Sequence, residues 1–66
     1  MILKVNGKAE TFERPSTLEE LIAFKKLCPA NIVVEHNLLI IPAEKWPGTR
    51  LRENDTIEIV SFVGGG

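Results

Sequence analysis

Cysteine occurs once in the 66 residues, at Cys28, and tyrosine does not occur at all. A single cysteine excludes an internal disulfide, so the fold must be held by packing, and a reducing, cytoplasmic setting is the expectation. Histidine is equally scarce: with His36 alone beside Cys28, no Cys/His set for a metal can be assembled. The same two residues are no nucleophile and base unless they are shown to meet. Cys28 reads as a small buried hydrophobe at a helix end, and His36 as a surface residue at the end of a strand. Long apolar runs are missing too. The longest, Leu38 to Ile41, falls far short of a bilayer span, and no charged segment with a long apolar stretch behind it opens the chain. Neither membrane insertion nor secretion is expected. A formal net charge of -1, with Lys25-Lys26 the only basic pair, removes the footprint of a nucleic-acid binder. The five glycines form no phosphate-cradling loop between a strand and a helix, so neither bound ATP nor another bound cofactor is expected. The acidic residues are scattered, which leaves no general acid and base pair. An enzyme is therefore not the reading.

What is present is one foldable domain. With 44% hydrophobic and 26% charged residues the chain is far from the disordered corner of composition, and its length suits one core and not two. Residues 1–63 are read as that domain and residues 64–66 as a tail. Met1 to Val5 suits a strand; Asn6-Gly7, tolerant of positive φ, suits a type I′ turn; Lys8 to Glu13 returns as the second strand. Pro15, Ser16 and Glu19 predict a helix from Thr17 to Leu27, with Ser16 as the cap and Glu19 closing a capping box, ended by Pro29. Leu18, Leu21, Ile22 and Phe24 give it an apolar stripe. Ile32 to His36 reads as a third strand, Asn37 as a turn, and Leu39 to Ile41 as a short strand stopped by Pro42. Ala43 to Gly48 reads as a loop or helical turn that tucks Trp46 against the core. Glu53-Asn54-Asp55 turns the chain into the last strand, Thr56 to Phe62.

This order predicts an α+β domain of the ubiquitin-like β-grasp class: a mixed sheet of four to five strands with one main helix across it, and its first and last strands parallel. In the last strand Ile57 and Ile59 alternate with Val60 and Phe62, which should face away from the core beside Val33 and Ile2. Val33, Val60, Phe62 and Val63 are accordingly the candidate docking patch. The competing reading is that the Trp46 loop covers them.

The chain ends in Gly64-Gly65-Gly66. Three residues without Cβ make the narrowest and most conformationally free thread a peptide can form. Extended, they reach about 10 Å at about 3.3–3.6 Å each, enough to carry a carboxylate into a partner's active site. That carboxylate is ionised at neutral pH and a poor electrophile, so it needs activation, and adenylation by a partner that consumes ATP would supply it. An idle terminus is the alternative.

Over its whole length the sequence resembles the thiamin-biosynthesis sulfur carriers of the ThiS family. The resemblance is carried by Val5-Asn6-Gly7, Leu18-Glu19-Glu20-Leu21, Val33-Val34-Glu35-His36-Asn37, Ile41-Pro42 with Trp46, Leu51, Asp55, and Ile57-Glu58-Ile59-Val60 running into Phe62-Val63-Gly64-Gly65-Gly66. It implies that a ThiF-type adenylyltransferase activates Gly66, that a persulfide donor such as a cysteine desulfurase converts it to a thiocarboxylate, and that a ThiG-type thiazole synthase takes the sulfur. By the same resemblance Gly65 and Gly66 are the essential residues and Gly64 is part of the tail. A carrier for another pathway, like the small subunit of molybdopterin synthase, and a non-covalent ubiquitin-like module are the rival readings.

Overall fold

The computed structural model describes residues 1–62; Val63, Gly64, Gly65 and Gly66 lie outside the described residues. In chain order the elements are β1 (Ile2–Val5), β2 (Lys8–Thr11), α1 (Leu18–Phe24), a 3-10 turn (Pro29–Asn31), β3 (Ile32–His36), β4 (Leu39–Ile40), a second 3-10 turn (Ala43–Gly48) and β5 (Thr56–Ser61). The strands form one mixed sheet in the order β2-β1-β5-β3-β4. β1 and β5 are parallel, and β5 and β3 antiparallel in the register Val33↔Val60 and Glu35↔Glu58.

Local chemistry sets the turns. Asn6 and Gly7 both take positive φ, 51° and 82°, as a type I′ turn requires. The Asn6 side chain also accepts the Ile59 amide at 2.7 Å, so a turn residue extends the hold on β5 past the end of β1. The β3–β4 connection has the same form with Asn37 at 51° and Leu38 at 74°; leucine in that region carries steric strain.

α1 begins one residue later than its capping-box pattern suggested. Thr17, not Ser16, is the cap and accepts the Glu20 amide, while Glu20, not Glu19, reaches back to the Ser16 amide and hydroxyl at 2.7 and 2.8 Å. These contacts, the backbone amide first, hold the Glu20 carboxyl below its ordinary value. Both S-x-x-E and T-x-x-E are present, and the second register puts Leu18, Leu21 and Ile22 inward, where all three are buried. The helix also ends at Phe24, not Leu27. Lys26 adopts φ 59°, the Lys26 amide bonds the Ala23 carbonyl and the Leu27 amide bonds Ile22, which is a Schellman ending. Phe24 does not join the stripe: it sits about 110° from the stripe's centre at about 100° per residue, is exposed, and meets Phe12 edge-on at 5.8 Å.

The core lies between the inner sheet face and α1, with Leu3, Val5, Val34 and Ile57 from the sheet meeting Leu18, Leu21 and Ile22. Trp46 closes one end of it, buried, with its Nε1 donating to the Ile41 carbonyl at 2.8 Å. Residues 49–51 then pair back on the helix start, through Leu18 N to Thr49 O and Leu51 N to Ser16 O. Cys28 is exposed, against the expectation of burial, because the early helix ending carries it out as the cap of the Pro29–Asn31 turn.

The left-handed Lys26 generates a test. Lys26→Gly relieves about 1–2 kcal/mol of steric strain and costs about 0.5–1 kcal/mol of unfolded-state entropy. A net stabilisation of about 0.5–1 kcal/mol is expected, read as a higher urea midpoint with an unchanged m-value.

Candidate functional site

Two places on the described surface carry chemistry, and they lie at opposite ends of β5. The first is the outer sheet face beside the strand's C-terminal end. Strand alternation turns Ile57 into the core and Val60 out, and Val60 stands directly opposite Val33. Val33 is 38% exposed, Val60 58% and Phe62 59%, with Ile2 also open on β1. The Trp46 loop does not cover them, because Trp46 is buried on the helix side of the sheet. The Phe62 amide bonds the Asn31 carbonyl at 3.1 Å, which keeps the backbone paired up to the last described residue. Three of the four predicted patch residues are thus exposed and side by side. The fourth, Val63, lies outside the described residues, as do Gly64, Gly65 and the terminal Gly66.

The second place is the beginning of β5. Asp55 is the one buried charged residue described. Its carboxylate accepts the His36 ring Nε2–H at 2.8 Å, the Asn37 side-chain amide at 3.1 Å and the Arg52 backbone amide at 2.8 Å. Asn37 in turn accepts the Thr56 amide at 2.9 Å. His36 is therefore a half-buried partner of Asp55, where a surface residue was expected. The sequence offered no local signal for the His36 and Asn37 contacts, which reach Asp55 from 19 and 18 residues away. Burial pushes the Asp55 carboxyl up, but the hydrogen bonds from His36, Asn37 and Arg52 outweigh it and hold the group below its ordinary value. A cleft of about 510 Å³ opens beside the network, bordered by Thr49, Arg50 and Arg52. No cluster of three potential metal ligands occurs among the described residues, and no described helix is long and apolar enough to cross a membrane.

A helix laid across a mixed sheet, a parallel pair of first and last strands, and an apolar outer face next to the end of the last strand define a ubiquitin-like β-grasp domain. The chain belongs to the ThiS family, whose model matches residues 3–66. It is 38% identical to the sulfur carrier protein ThiS of Bacillus subtilis, an alignment that covers 98% of this chain and all of that one. The crystal structure of the thiamine biosynthesis protein ThiS from Geobacter metallireducens superposes with a TM-score of 0.82 at 32% identity, with both chains covered completely. A thiazole synthase of Paramagnetospirillum magneticum is 33% identical over 66 residues, which are all of this chain and 20% of that protein; the chain thus spans about one fifth of that relative.

The Asp55 network makes stability depend on pH in a defined direction. In the unfolded chain the carboxyl regains its ordinary pKa, so its contribution is complete above that value and lost as pH falls through the lower folded value. Unfolding free energy should therefore drop below about pH 4. Asp55→Asn should flatten that acid limb and cost about 1–3 kcal/mol at neutral pH, because an amide cannot accept from all three donors that the buried carboxylate satisfies. Denaturant melts of both proteins across the acid range measure it.

Proposed function

We propose that the protein is the sulfur carrier for the thiazole moiety of thiamin, a co-substrate of partner enzymes and not a catalyst. Full-length similarity to a sulfur carrier protein ThiS, on a β-grasp body whose last strand runs toward Gly64-Gly65-Gly66, is the observation that carries this reading. In the proposed cycle a ThiF-type adenylyltransferase uses ATP to convert the Gly66 carboxylate to an acyl adenylate. A persulfide donor attacks that carbonyl and AMP leaves; reductive cleavage of the acyl disulfide by a thiol then leaves the thiocarboxylate. A ThiG-type thiazole synthase accepts the sulfur, and the Gly66 carboxylate is regenerated.

The chemistry of the tail supports the assignment of roles. A carboxylate is unreactive toward nucleophiles until its oxygen is made a leaving group, which adenylation accomplishes. Gly64 and Gly65 present no side chain to a narrow channel. Ordering three glycines costs about 1–2 kcal/mol each, so contacts elsewhere on the body must offset it. Val33, Val60 and Phe62, with Val63, are proposed to supply them, at about 25 cal/mol for each Å² of apolar surface covered.

Intact-mass spectrometry tests the proposal. Incubated with its adenylyltransferase, ATP and a persulfide source, the protein should gain the mass difference between sulfur and oxygen, and a variant lacking Gly66 should gain nothing. Absence of the gain in the intact protein, or an equal gain in the truncated one, would refute the carrier reading. Sulfur transfer to a molybdopterin-type acceptor and not to thiazole synthase would refute the pathway alone.

A further inference from the structure

The outer face of the sheet has a feature that the apolar patch does not explain. Glu35 and Glu58 are directly opposed across the antiparallel β3–β5 pair, two residues along the register from Val33 and Val60. Both lie on the outer face, since their neighbours Val34 and Ile57 are the buried ones. Side chains so opposed have Cβ atoms about 4.5–5.5 Å apart, and like charges in that position are destabilising. Neither carboxylate has a counter-ion: among the described residues Lys25 pairs with Glu10, and the His36 ring bonds Asp55. Lys4, on the same face of β1, stands level with Thr56 and pairs with neither. The row continues onto β4, where Ile40 is opposite Glu35. Two unneutralised carboxylates therefore sit in the middle of the sheet, framed by Val33, Ile40, Val60 and Phe62, which are 38–66% exposed.

We propose that Glu35 and Glu58 together receive one cationic side chain, an arginine by its geometry, projecting from an apolar patch of the thiazole synthase. The planar fork of a guanidinium bonds two carboxylates at once, and closing the apolar frame around it removes the water that would screen the contact. The inference rests on the carrier reading, which supplies the synthase as partner. It commits to the synthase because homologues of this whole chain occur as one fifth of proteins that are themselves thiazole synthases. The carboxylate pair would thus fix the orientation of the body while the apolar frame provides most of the attraction.

The full-length protein with both residues changed, Glu35→Gln/Glu58→Gln, separates this role from a merely solubilising one. Removal of the repulsion should leave the melting temperature unchanged or raise it, while affinity for the synthase, measured by calorimetry, falls by about tenfold or more. Wild-type affinity should decline as ionic strength rises and that of the variant should not. Glu58→Lys, which pairs with Glu35 inside the chain, should bind more weakly than Glu58→Gln despite folding at least as well. Unchanged affinity and salt dependence in the Gln pair would overturn the proposal, as would a loss confined to the adenylyltransferase. The mass gain of sulfur, followed on the same samples, keeps the two readings apart: if wild type gains sulfur and the Gln pair binds the synthase normally, this inference alone fails.

Discussion

Parallel pairing of β1 with β5 is the constraint from which the rest of the domain follows. Two parallel neighbours cannot be joined by a tight turn, so the chain between them must leave the sheet, cross one face and return. Here it crosses as α1, and the helix is held to the sheet by Leu18, Leu21 and Ile22 against Leu3, Val5, Val34 and Ile57. Because α1 occupies one face, the other is left open, and β5, the middle strand of five, presents half of its side chains there. The open apolar face is thus a direct product of the topology, and it reaches Phe62, the last described residue.

The start of β5 is fixed by a different kind of force. Apolar burial sets which face of the strand points inward, but it does not say where the strand begins. That is settled by Asp55, which gathers the Arg52 amide, the His36 ring and the Asn37 side chain and so ties the turn before β5 to the end of β3. A buried carboxylate is costly unless its lone pairs are filled. Once they are filled, a slip in register would strand several donors at once, which makes the network a lock on alignment.

Elements marked by local chemistry were legible in the sequence. Asn6-Gly7 identified the first hairpin, and alternation in β3 and β5 identified both of their faces, including the exposure of Val33, Val60 and Phe62. Trp46 was correctly placed against the core. The helix was placed but not its ends: Ser16 and Thr17 are equally able caps, and only tertiary burial of Leu18 chooses between them. No glycine marks the left-handed position at Lys26, so the early ending and the exposure of Cys28 and Phe24 that go with it had no local signal. The His36–Asp55 contact had no local signal either, because it joins the end of β3 to the turn before β5, 19 residues on. Of the candidate site, the patch was readable from its two-residue period. The Glu35–Glu58 opposition required the register itself.

The flanking of β5 has a mechanical meaning. From Ile57 to Ile59 the strand is bonded on both sides, by β1 and the Asn6 side chain on one and by β3 on the other, and from Val60 to Phe62 it is held by β3 and Asn31. A force directed along the strand axis meets those bonds at right angles and so loads them together in shear. Load applied at Phe62 is thereby passed to the sheet as a whole and not to a single bond.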